Sequence, residues 1–93
     1  MKAVLITTEF RGVFFGYIEE GQESQVSMKL KDARNVLYWD SSVKGFMGLA
    51  STGPSRECRV GLKVPEITLY KITSVVACTP EAIEKWEEGP WSK

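Results

Sequence analysis

Arg34, Tyr38, Trp39 and Lys44 fall within the stretch RNVLYWDSSVK, two large aromatics between two cations. These residue types suit one chemistry. An aromatic face stacks on a flat ring while a guanidinium or ammonium holds an anion attached to that ring. Such a pairing captures a base or nucleotide without altering it. A structural reading competes with this one, because neighbours on a strand point to opposite faces. One of Tyr38 and Trp39 then fills the core of a small domain or an interface between subunits. Val36 and Tyr38 share one face and Leu37 and Trp39 the other, so Trp39 is expected to face outward. Arg56 and Arg59 follow Gly53-Pro54 and offer either forked contacts to phosphates or solvated surface charge. The ligand set expected from the sequence is therefore Arg34, Tyr38, Trp39, Lys44, Arg56 and Arg59.

The chain contains no histidine, which removes His-based acid–base catalysis, Ser-His and Cys-His nucleophiles and His-ligated metals. Gly45, Gly48 and Gly53 fit neither of the glycine-rich phosphate-loop spacings. Cys58 and Cys78 lack the close spacing of a metal motif or disulfide framework and read as small buried hydrophobes. No catalytic residue, metal or cofactor is expected, and the protein reads as a non-enzyme.

Formal net charge is zero over 93 residues, which argues against a general nucleic-acid binder. The balance is uneven. Residues 29–63 carry seven basic against three acidic side chains, while each flank is net acidic, so the middle is where an anion would be met. No stretch approaches a membrane span, and the apolar run Ala3–Ile6 is too short for a signal peptide. These features lead to an expected cytoplasmic location with reduced thiols.

The elements that must position these side chains follow from periodicity. Residues 2–8 (KAVLITT) read as a strand, and Glu9–Gly12 as a turn. Residues 13–18 read as a second strand with apolar residues on both faces, one of them open to a partner subunit, and with Gly16 at a bend. After the polar loop Glu19–Glu23, a third strand places Val26, Met28 and Leu30 inward and Gln25, Ser27, Lys29 and Lys31 outward. A turn at Lys31-Asp32-Ala33 leads to a fourth strand, Arg34 to Trp39. Ser41 or Ser42 caps a short helix over Val43–Ser51, stopped by Gly53-Pro54. Residues 54–65 read as an irregular or edge segment buried at Cys58 and Val60.

Residues 66–78 read as the longest strand, with a bulge near Tyr70 where the apolar parity shifts. Thr79-Pro80-Glu81 opens a second helix that Gly89-Pro90 ends, with acidic Glu81, Glu84, Glu87 and Glu88 mostly a solvated face. Trp86 reads as core or interface, and Trp91 as a plug folded back at the end. The expected fold is a single α+β domain over residues 1–93. It is a small, strongly bent antiparallel sheet or partly open barrel of about five strands with two short helices.

The span GVFFGYIEEGQESQVSMKLKDAR resembles the bent strand, acidic loop and Asp-Ala strand of Sm-like and SH3-like small barrels. A wider pattern runs through GVFFGYIEE, V-x-M-x-L-x-x-A-R, LYW, GLASTGP, CRVG, ITLYKITSV, ACTPEA and GPW. Over residues 12–91 it resembles a family of small proteins encoded by tailed bacteriophages and prophages. That resemblance implies a phage accessory protein acting in the host bacterial cytoplasm, where small proteins of this kind often counter antiviral defence.

The resulting expectation is a homo-oligomer that sequesters an anionic, nucleotide-type immune signal in a basic, aromatic pocket. The alternatives are a protein–protein inhibitor of a host defence enzyme, an Sm-like nucleic-acid binder and a virion accessory protein.

Overall fold

The computed structural model describes residues 1–22 and 27–89. Strand β1 (Lys2–Thr8) is β-branched and apolar, and pairs antiparallel with β2 (Gly12–Ile18) from Lys2↔Ile18 to Thr8↔Gly12. A tight 3-10 turn over Glu9–Arg11 joins them, with Phe10 in the left-handed region at φ 60°.

Strand β3 (Met28–Tyr38) is one continuous, kinked element, so the turn expected at Lys31-Asp32-Ala33 does not separate two strands. Asp32 adopts φ 49° and shifts the parity there. Before the kink Met28 and Leu30 face one core, and after it Ala33 continues that core while Val36 joins the other. An aspartate tolerates a left-handed backbone in a kink as well as in a turn, which is why the sequence signal was ambiguous. Gln25 and Val26 of the expected third strand, Glu23 of the loop and Trp91 lie outside the described residues.

The segment expected as the longest strand is two strands, β5 (Val64–Leu69) and β6 (Ile72–Ala77), the two-residue β4 (Arg59–Val60) having preceded them. Lys71, at φ 55°, divides β5 from β6. The parity shift near Tyr70 marks a change of partner: β5 pairs with β3, and β6 with β1. The six-stranded antiparallel sheet runs β4-β3-β2-β1-β6 with β5 beside β3, bent but not closed. With its two helices this is the α+β architecture that the residue pattern implied.

Two cores lie on opposite faces of β1. Val4 and Ile6 join Ile18, Met28, Leu30, Ala33 and Leu69 inside the curl of the sheet. Ala3 and Leu5 join Val13, Phe15, Val36, Leu49 and Trp86 beneath the helices. Both apolar faces of β2 are thus covered by the chain itself, and neither needs a partner subunit.

Helix α1 (Gly45–Ser51) follows a 3-10 turn over Ser41–Val43. Asp40 caps that 3-10 turn, its carboxylate accepting from the Ser42 amide, while α1 itself begins after Lys44 with no side-chain cap from Ser41 or Ser42. Helix α2 (Pro80–Glu88) starts as its sequence dictates, with Thr79 accepting from the Ala82 amide and Pro80 in the first turn. Thr79 also donates through its hydroxyl to the Ser51 carbonyl and through its amide to the Ala50 carbonyl, tying α2 to the end of α1.

At Gly16 the β2–β3 register shifts, and a Cβ there would lie 2.5 Å from Leu30 Cγ. Leu30→Ala is expected to cost about 2–5 kcal/mol as a buried truncation. Thr79→Ala is expected to cost about 0.5–2 kcal/mol as a lost cap. Gly16→Ala overpacks the wild type and costs less in the Leu30→Ala background, where the added methyl has room. Urea denaturation of the single and double variants reads both orders.

Candidate functional site

Arg34 does not present itself to a ligand. It is 1% exposed, with Nη2 3.6 Å from Glu87 Oε1 on α2. The other Glu87 oxygen accepts from the Tyr17 hydroxyl at 2.9 Å. Burial, then the hydrogen bond to Glu87, pushes the Tyr17 phenol well above its ordinary range. The three groups form a polar tie between β2, β3 and α2. Arg34 is thus committed to a carboxylate of its own chain, where the sequence reading expected a ligand anion, and Glu87 is half-buried rather than part of a fully solvated acidic face.

The outward aromatic is Tyr38, not Trp39. Tyr38 is 52% exposed, whereas Trp39 is half-buried and packs against the helix-side core. The parity argument failed because the β3–β4 register shifts between Val36 and Tyr38. Tyr38 lies opposite exposed Arg59 at the β4 edge. Lys44 is exposed at φ 63°, just before α1. Arg56 lines a separate recess of about 420 Å³ with Pro54, Ser55, Glu84, Lys85 and Glu88, whose charges are mixed in sign. The six expected ligands therefore do not converge.

A different site forms around Trp39. A recess of about 450 Å³ is lined by Trp39, Phe46, Val13, Gly12 and the threonines Thr7, Thr8 and Thr73. Its position follows from the elements. The end of β1 supplies Thr7 and Thr8, the start of β2 supplies Gly12 and Val13, β6 supplies Thr73, and Trp39 and Phe46 stand where β3 gives way to α1. A Cβ at Gly12 would sit 2.2 Å from Thr8 Oγ1, so a larger residue there would displace the Thr8 side chain. Thr7 Oγ1 lies 2.6 Å from Thr73 Oγ1 and 2.5 Å from Ser74 Oγ, so the hydroxyls are held by one another.

Among the described residues no charged side chain lines this recess. Its lining combines two aromatic side chains with three threonines, a composition that suits a flat neutral ring and offers hydrogen bonds to its edge. Thr7, Thr8, Thr73 and Phe46 were absent from the ligand set read from the sequence. The Thr7-Thr8 pair at a strand end was the available signal, but its partner Thr73 is 66 residues away.

Elsewhere the structure offers less reactive chemistry. Burial pushes the Cys78 thiol up to about 12, so the nucleophilic thiolate is suppressed at neutral pH. Cys58 is buried and free. Asp40 is held below the usual carboxylate range by hydrogen bonds from Ser42 and Ser55, the latter at 2.7 Å. Among the described residues no group of three or more His, Cys, Asp or Glu side chains is placed to hold a metal, and no helix is long and apolar enough to cross a membrane.

No curated protein matches the sequence. Residues 1–86, which span all six strands, α1 and most of α2, match a family described as Domain of unknown function (DUF6948). The chain thus belongs to the DUF6948 family.

Proposed function

We propose that this chain is a non-catalytic binding protein whose Trp39–Phe46 recess takes the ring of a nucleotide-type small molecule. The carrying observation is one recess lined together by Trp39, Phe46, Thr7, Thr8 and Thr73. The ring enters the uncharged recess, and its phosphate stays outside, toward exposed Lys44 two residues before Phe46. The absence of histidine and the mutual hydrogen bonds of the threonines favour capture over turnover. The resemblance to small proteins of tailed phages supplies the setting, sequestration of a nucleotide-type immune signal in the host cytoplasm.

A panel of linear and cyclic nucleotides tests this. At least one is expected to raise the melting temperature by mass action. Trp39→Ala is expected to weaken that ligand roughly fivefold to a hundredfold, from about 1–3 kcal/mol of lost stacking. A panel that shifts nothing contradicts the reading.

A second reading, inhibition of a host defence protein, is favoured by the β3–β4 edge. Leu37 is 63% and Leu62 85% exposed there, beside Tyr38, and β4 is only two residues long. Exposed apolar side chains at a sheet edge suit a protein partner. On this reading Leu37→Asp and Leu62→Asp abolish activity against the host, and Trp39→Ala does not.

A further inference from the structure

Thr73 reaches the recess through an irregularity in the sheet. Thr7 pairs with Ser74 and Thr8 with Ile72, so Thr73 is an extra residue in β6 at that point. A bulge of this kind re-aims a side chain. Two consecutive residues of β6 thereby reach one hydroxyl, Thr7 Oγ1, from Thr73 at 2.6 Å and from Ser74 at 2.5 Å. In a regular strand neighbours point to opposite faces, and only one of them could do so.

Proton number constrains this cluster. Each hydroxyl carries one proton and two lone pairs. Three hydroxyls bring three protons and the two contacts use two, so one proton is always spare. Either oxygen can be the donor in each contact. When Ser74 donates to Thr7, the spare proton lies on Thr7 or Thr73, and both line the recess. When Thr7 donates to Ser74, Thr73 must donate to Thr7. The spare proton then lies on Ser74, which does not line the recess, and Thr73 has only lone pairs to turn toward it. Thr8 lacks this freedom, because its hydroxyl donates to the Glu9 carbonyl at 3.3 Å.

We propose that Thr7, Thr73 and Ser74 form a reversible hydroxyl relay that presents a donor or an acceptor at the same place in the recess, so that bases with an amino-type edge and a keto-type edge are taken alike. The inference rests on the ring-binding reading of the recess, and it names the ligand class, nucleotides of neutral bases with either edge pattern. A site with one fixed hydrogen-bonding group rejects the analogue that lacks the matching one. Here reversal of two hydrogen bonds removes that rejection, and Ser74 holds the proton whenever the ring needs an acceptor.

Calorimetric titrations of wild type, Ser74→Ala, Ser74→Thr and Trp39→Ala with AMP and IMP test it. These nucleotides share ribose, phosphate and ring shape, and exchange donor and acceptor along one edge of the base. Wild type is expected to bind the two within about twofold of each other. In Ser74→Ala two hydroxyls share one contact, and the spare proton always belongs to the recess. The ratio of the two affinities is then expected to move by about fivefold, toward the base with an acceptor at that place, as for one hydrogen bond gained or lost. Ser74→Thr keeps the hydroxyl and should keep the wild-type ratio. Because each ratio is taken within one variant, a general loss of stability cancels from it.

A wild-type preference for one base above about tenfold, with both weakened by Trp39→Ala, overturns the relay and leaves the reading of the recess standing. A Ser74→Ala ratio equal to that of wild type also overturns it. Binding of neither nucleotide, or binding that Trp39→Ala leaves unchanged, sinks the reading of the recess and the relay with it.

Discussion

Trp86→Ala is expected to destabilise the protein by about 3–5 kcal/mol. Trp86 is fully buried, stacks on Phe15 with ring centroids 4.6 Å apart and planes 7° from parallel, and donates from Nε1 to the Leu49 carbonyl at 3.1 Å. One side chain thereby joins α2 to β2 and α1. Total stability for a domain of this kind is about 5–15 kcal/mol, so the truncation removes much of it. Trp86→Phe keeps an aromatic against Phe15 and loses the indole hydrogen bond, and should cost less. Urea denaturation followed by circular dichroism reads the difference. A cost below about 1 kcal/mol for Trp86→Ala would show that α2 is not anchored through this residue.

Arg34→Ala is the second large effect, about 2–3 kcal/mol, because it empties the space of a fully buried side chain and leaves the Tyr17–Glu87 pair without its cation. The partner carboxylate is partly exposed and recovers some hydration when left alone, which sets Arg34 apart from a pair buried on both sides. Arg34→Lys does not restore the loss, since an ammonium lacks the planar fork. Thermal melts should show both variants falling together while nucleotide binding, measured well below the melting temperature, is unchanged. A variant that keeps its stability but loses binding would return Arg34 to the ligand set.

These two residues show where sequence reading succeeds and where it stops. Helix α2 was legible because its signals are local: Thr79, Pro80 and Glu81 act on the first turn they belong to. Strands β1 and β2 were legible from period and the intervening turn. The two-sided apolar pattern of β2 was also legible, but not that the second cover is the chain's own curl. Arg34 could be seen as a cation in a basic stretch, yet its partner Glu87 lies in a distant element that only the folded chain brings near. The choice between Tyr38 and Trp39 turned on strict alternation, and a single register shift after Val36 reversed it. The parity change near Tyr70 was visible, but which strand each half pairs with depends on partners far away in sequence. The recess was hidden for the same reason, since its lining comes from β1, β2 and β6 and from the step between β3 and α1.

The most direct measurement is a nitrogen-15 correlation spectrum titrated with AMP and cyclic AMP. Binding in the recess is expected to move the Trp39 indole resonance and the amides of Thr7, Thr8, Phe46 and Thr73, while the indole of Trp86, buried beneath the helices, stays in place. Shifts confined to Arg56, Glu84 and Lys85, or the absence of any shift at Trp39, would contradict ring binding at this site.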